Sequence, residues 1–149
     1  MRLVGEWFTL IALSVVGTTT GWAQSGAPTR NLFRAGQCFS LRSDGWSGTG
    51  AFSFPSHVVL DSGVAPAPWL NGLQTMRSDS TPFLRIGGWR PVADSGLSLR
   101  WGDGLFRLTI DLVGLTDTLV GHARLSAELV PWHHDLPNAV VRAWRTACL

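Results

Sequence analysis

The sequence has no lysine and no tyrosine, only two cysteines, and only 15% charged residues among its 149. The low charge and the cysteine count each exclude something. Low charge with 45% hydrophobic content rules out a disordered chain, which would lack the apolar surface to offset its ordering entropy. All twelve basic residues are arginine, set against ten acidic ones, and no arginine cluster concentrates the formal charge of +2. A nucleic-acid binder is therefore not implied, because that footprint needs a basic patch or stripe. The two cysteines lie far apart and form no C-x-x-C, which excludes a dithiol redox motif. The missing lysine and tyrosine carry no functional message; arginine-only usage fits a GC-rich coding sequence. Nor is there an apolar run of the roughly twenty residues that a membrane-spanning helix requires. The length accommodates one sizeable core and is short for two ordinary domains.

What the chain has in abundance is glycine, at 17 residues, and tryptophan, at eight. Two of the tryptophans, Trp7 and Trp22, fall in an N-terminal segment that reads as an export signal, Met1 to Ala23. Arg2 supplies the positive start and Trp7 to Val16 an apolar core of about ten residues. Gly21 and Ala23 are the small residues of a cleavage site. Glu6 is the one acid in that stretch. Cleavage would leave a mature chain from Gln24, periplasmic or extracellular, with no transmembrane span. Residues 24–36 read as a polar, flexible lead-in and residues 37–149 as the folded domain.

Export would place Cys38 and Cys148 in an oxidising compartment, where one intramolecular disulfide is expected. It would close a loop of about 110 residues, worth about 4–5 kcal/mol on the chain-entropy account. It would also require the first and last structured segments to lie side by side.

Along the mature chain, short apolar runs alternate with turn chemistry and no helical period of useful length emerges. Leu97, Leu99 and Trp101 alternate with Ser98 and Arg100. A Gly102-Asp103-Gly104 turn follows, then Phe106, Leu108, Ile110 and Leu112 alternate with Arg107, Thr109 and Asp111. This is a hairpin with one apolar and one wet face. Leu119 to Leu129 repeats the alternation, with small Gly121 and Ala123 on its apolar phase. Further strands are expected at Gln37–Arg42, His57–Asp61, Leu73–Arg77, Phe83–Arg90 and Val140–Cys148, which brings the total to eight. Asp61-Ser62-Gly63 and Asp94-Ser95-Gly96 read as turns, and Pro131 to Asn138 as a loop or short helical turn. The pattern predicts an all-β fold, an eight-stranded antiparallel up-and-down barrel, closed or nearly closed; the alternative is a β-sandwich. A bridge between the first and last strands favours the barrel, where those strands are neighbours.

An eight-stranded barrel encloses either packed side chains or one small ligand. Its interior wall would include Leu97, Leu99, Trp101, Phe106, Leu108, Ile110 and Leu125, a candidate site for a small apolar or aromatic ligand. A filled core is the plain alternative. His133-His134-Asp135, with His122 or His57, is the one group with metal-ligand chemistry. Adjacent residues on an extended chain face opposite sides, and no spaced histidine motif accompanies them, so no metal or other cofactor is expected. Neither Ser62 nor Ser95 sits in a G-x-S-x-G elbow, and no spacing among the acids predicts a catalytic dyad. No catalytic residue is assigned, and a hydrolase ranks below two binding roles. These are the interior ligand site and a protein-interaction module of the envelope anchored by tryptophans such as Trp69 or Trp132. The arginines that alternate with apolar residues (Arg85, Arg100, Arg107, Arg124 and Arg142) give the pattern of a solvated face. One of them could meet a carboxylate ligand, and the sequence does not select which.

Gly45-Trp46 after the first strand, with Arg142 or Arg145 on the last, resembles the small secreted lipocalin-like, or calycin-type, barrels. In that family a glycine and a tryptophan on the first strand are covered by an arginine near the last. The family motif is G-x-W, whereas Gly45 and Trp46 are adjacent, and the G-x-W of this chain, Gly87-Gly88-Trp89, falls mid-chain. The resemblance spans residues 37–148 as a strand pattern and implies binding of small apolar molecules. Thr118 to Leu125 is also similar to segments of exported bacterial β-proteins without an established activity.

Overall fold

The computed structural model describes residues 32–46, 53–79, 87–127 and 138–148. The expected export signal lies outside them, as do residues 83–86 of the Phe83–Arg90 strand, 128–129 of the Leu119–Leu129 strand and 131–137 of the Pro131–Asn138 segment. Alternating apolar and polar residues give eight strands: β1 Cys38–Asp44, β2 His57–Val64, β3 Gln74–Ser78, β4 Gly87–Val92, β5 Gly96–Gly102, β6 Phe106–Val113, β7 Thr118–Ala127 and β8 Asn138–Thr146. Each pairs antiparallel with its sequence neighbour, and β1 also pairs with β8 from Cys38↔Thr146 to Asp44↔Val140. The sheet is thus a closed up-and-down barrel, and the sandwich alternative falls away.

Two local expectations are corrected. Asp61-Ser62-Gly63 is not a turn but the second half of β2, where the β2–β3 register shifts between Leu60 and Val64. Turn-forming residues are tolerated there because a bulge leaves residues unpaired and bends the strand. The last strand ends at Thr146, so Cys148 lies just beyond it. The Asp103 turn is as expected: its Oδ1 accepts the amides of Leu105 and Phe106, both at 2.8 Å. The Asp94 turn carries an unexpected device. Ala93 sits at φ 50°, a left-handed conformation usually left to glycine.

The interior combines large and small side chains. Trp89, Leu97, Leu99, Trp101, Leu108 and Ile110 fill the β4–β6 side. β7 and β8 mix sizes, with Leu119, Leu125 and Val141 buried beside small Gly121, Ala123, Ala139 and Ala143. Whereas the Nε1 of half-buried Trp69 is shielded without an acceptor among the described residues, the two fully buried indoles have one. Trp89 Nε1 donates to the Asp61 carbonyl at 2.8 Å and Trp101 Nε1 to Ser78 Oγ at 3.1 Å. An indole N–H left without an acceptor at that depth would cost about 1–3 kcal/mol. Glycine makes room for this packing. A Cβ on Gly87 would come within 2.9 Å of the Trp101 ring and 2.7 Å of Met76 Cε. A Cβ on Gly121 would overlap the carbonyl oxygen of Asp111.

Cys38 and Cys148 are joined, with Cα atoms 5.3 Å apart. Beside this staple, Leu32 to Gln37 crosses one end of the barrel. Phe33 is buried there against Phe39, and the Gly36 amide donates to the Leu60 carbonyl at 2.7 Å. Arg145 lies over the Phe39 ring at 6.0 Å, donates to the Leu32 carbonyl at 3.4 Å, and approaches Asp117 at 3.9 Å. The aromatic ring covered by a last-strand arginine is therefore Phe39 and not Trp46. Trp46 packs on Phe54, and Arg142 points outward to Asp44.

Replacing both cysteines with serine should lower stability by about 2–5 kcal/mol in urea titrations, and the wild type should run as the oxidised intramolecular form in non-reducing mass spectrometry. An unchanged midpoint, or free thiols, would contradict the staple. Gly121→Ala should cost more than Gly87→Ala, because backbone must move in the first case and the flexible end of Met76 can give in the second. The larger loss should be about 3 kcal/mol by the same titration, and equal tolerance would speak against this packing.

Candidate functional site

The barrel register divides the named residues between two faces. Inside, Leu97, Leu99, Trp101, Leu108, Ile110 and Leu125 are buried in one contiguous apolar cluster, and Phe106 packs half-buried against it. The structure thus brings all seven sequence-expected interior residues together. Outside, the same strands present their alternate residues on an open groove of about 930 Å³ spanning β5 to β8.

Register orders this outer wall into rows. One row runs Arg100, Thr109, Arg124, Asn138 across the four strands, directly paired at each step. Below it, Arg107 pairs with Ser126; above it, Asp111 pairs with Ser98 and with His122, and the next row holds Val113 and Val120. Arg107 is the diagonal neighbour of both Arg100 and Arg124, a separation of about 7–8 Å that long side chains span. The groove is lined by three arginines, with Asp111 the acidic lining residue among those described. That carboxylate is already engaged, accepting the Ser98 hydroxyl at 2.7 Å.

Among the described residues, four surface arginines are held by acids, whereas Arg34 and Arg90, which lie off the groove, and two groove arginines are not. Arg77 meets Asp61 at 2.9 Å, Arg142 and Arg42 approach Asp44 at about 4 Å, and Arg145 approaches Asp117. Among the described residues, the side chains of Arg100 and Arg124 form no hydrogen bond or ion pair, and Arg100 Nε is shielded from solvent without an acceptor. Alternation alone made these arginines indistinguishable from a solvated face. What the sequence did not disclose is that the barrel register aligns two of them in one acid-poor row.

A second cluster joins Ser56, His57 and Asp79. Asp79 Oδ1 accepts the backbone amides of Ser56 and His57, each at 2.9 Å, and Oδ2 accepts the Ser56 hydroxyl. These are the residue types of a nucleophilic triad in a different arrangement. A triad needs histidine between serine and acid to take the serine proton, whereas here the carboxylate holds the serine directly. Asp79 acts as a clamp between the start of β2 and the end of β3. Burial pushes its carboxyl up, but the Ser56 hydroxyl and the two amides outweigh that and hold it below the usual carboxylate range.

Among the described residues no three histidine, cysteine or acidic side chains gather where they could hold a metal. His133, His134 and Asp135 lie outside the described residues, as does Trp132. Of the two tryptophans read as exposed anchors, Trp69 is described and is half-buried, packed on the small apolar cluster of Ala65, Ala67, Leu70 and Leu73. The exposed indole on the strands is instead Trp144.

Asp79→Asn should reduce stability at neutral pH by about 1–2 kcal/mol, since it removes charge-assisted bonds at a partly exposed site. Because the folded carboxyl titrates lower than the unfolded one, the wild-type advantage is complete above the unfolded pKa near 4 and declines as pH falls through the folded value. Chemical denaturation of both proteins from pH 7 down to pH 2 would show the two curves converging; a constant gap would contradict the clamp. No family model matches the chain, and no curated protein and no solved structure matches it either.

Proposed function

We propose that the chain is an exported, disulfide-closed binding module that holds its partner on the outer wall of β5 to β8. The observation that carries this reading is where the open space lies. The described interior residues bury one another in a single cluster, whereas the groove of about 930 Å³ is outside, on regular strands. Sites built on strands hold their side chains more firmly than sites on loops. Export is supported by the signal-like N-terminus and by the Cys38–Cys148 bridge, which belongs to an oxidising compartment. The Ser56–His57–Asp79 clamp gives no nucleophile–base pair, which favours binding over hydrolysis.

A small apolar or aromatic ligand inside the barrel is the second reading. It is favoured by the convergence of Leu97, Leu99, Trp101, Phe106, Leu108, Ile110 and Leu125 on one interior, where β7 and β8 also contribute small Gly121, Ala123, Ala139 and Ala143. The two readings separate experimentally, since Trp89 and Trp101 are buried inside and report on that space. Hydroxyl-radical footprinting of the mature protein with an envelope extract of the producing cell should protect Val113, Val120 and His122. Titration with fatty acids and aromatic compounds should leave the tryptophan fluorescence unchanged. Ligand-dependent quenching without protection of the outer wall would replace the first reading with the second.

A further inference from the structure

We infer that the row Arg100–Thr109–Arg124 is a recognition site for a phosphoryl group. This deepens the outer-wall reading and rests on it. The argument begins with spacing. Adjacent strands lie about 4.8 Å apart, so Arg100 on β5 and Arg124 on β7 are about 10 Å apart at their Cα atoms, with Thr109 midway between them on β6. Arginine side chains are long enough to span that interval, so an anion above the Thr109 hydroxyl is within reach of both guanidinium groups. Asn138 on β8 continues the row with a further donor.

Among the described residues the row itself carries donors and no acid. Arg100 and Arg124 have no partner among the described residues, and the Nε of Arg100 is shielded from water with nothing to donate to. That atom is closed to an anion as well, so it is the terminal nitrogens of Arg100, which are not shielded, that can meet an acceptor. Arg107 and Asp111 lie diagonal to both on either side of Thr109 and offset each other in charge. The Asp111 carboxylate accepts the Ser98 hydroxyl, so the positive charge of the row is that of Arg100 and Arg124. A cationic wall of this kind selects an anion by charge.

Geometry then selects the kind of anion. A planar carboxylate is matched by the fork of one guanidinium. Two forks and a hydroxyl that arrive from three different strands suit a tetrahedral group with several acceptor oxygens, and arginine pairs with phosphate oxygens in this way. The ligand's phosphoryl group is either free in solution or carried on a lipid headgroup, and both present the same oxygens.

The test uses the disulfide-bonded mature protein at constant ionic strength. Inorganic phosphate, titrated by calorimetry and by amide chemical shifts against matched chloride, should bind and should move the signals of Arg100, Thr109 and Arg124. Arg100→Gln and Arg124→Gln should each weaken binding roughly tenfold, the effect of one charge-assisted hydrogen bond lost. Arg77→Gln, at the Asp61 pair on β3, should leave it unchanged. Sedimentation with phosphatidylcholine vesicles, with and without phosphatidylglycerol, separates the sources. Binding to the anionic vesicles alone that is lost in Arg100→Gln assigns a headgroup; binding of phosphate itself assigns a soluble phosphoryl ligand. The wild-type shift map needs no variant, so a poorly folding substitution does not cloud the result. No shift beyond chloride and no Arg100-dependent sedimentation would overturn the phosphoryl assignment. Footprint protection of the same wall would then still uphold the outer-wall reading with a different ligand, and loss of both would remove the wall as a site.

Discussion

The structure depends on closure of the sheet. Eight strands in sequence order can leave two open edges or none, and pairing of β1 with β8 over seven residues from Cys38 to Asp44 removes both. An open edge would expose a row of unsatisfied backbone groups and invite pairing with another chain. The Cys38–Cys148 bridge sits at one end of that seam and Arg145 over Phe39 sits beside it. Closure therefore has both a covalent and a noncovalent component at the place where the chain's two ends would otherwise part first.

Closure also dictates what the inside must be. The barrel is solved by asymmetry, with the two fully buried indoles on β4 and β5, and with glycine and alanine interleaved with Leu119, Leu125 and Val141 on β7 and β8. A uniform set of medium side chains would fit the volume less definitely and specify the packing less well. The hydrogen bonds of Trp89 to Asp61 and of Trp101 to Ser78 fix the orientation of the two largest members. In this way polar atoms from β2 and β3 set the arrangement of apolar rings from β4 and β5.

Much of this architecture is written in the period of the sequence. The alternation of Leu97–Trp101 and Phe106–Leu112 across an Asp-Gly turn leaves little choice but a hairpin, and the distant cysteines point to adjacent first and last strands. The misreading at Asp61-Ser62-Gly63 has a physical cause: turn residues and bulge residues have the same conformational tolerance, and only the neighbouring strand decides between them. The site was less legible. Which arginines share a row depends on registers between strands that are separated in sequence, as Arg100, Thr109 and Arg124 are. Ser56, His57 and Asp79 meet for the same reason, because β2 and β3 are paired. One-dimensional spacing carries the face on which a residue lies, but not its neighbours across the sheet.

The row on the outer wall has a consequence for how such a surface can change. Its spacing belongs to the backbone ladder and not to the side chains it carries, so it works as a ruler with interchangeable marks. Substituting an outward residue alters the chemistry at one mark while the intervals and the packed interior stay as they are. A single-residue insertion after Leu108 in β6 would do the reverse: it would keep every side chain and exchange the outer set for the inner one beyond that point, turning Thr109 and Asp111 toward the apolar interior. Selection on this barrel can therefore revise what the wall recognises far more freely than where it recognises it.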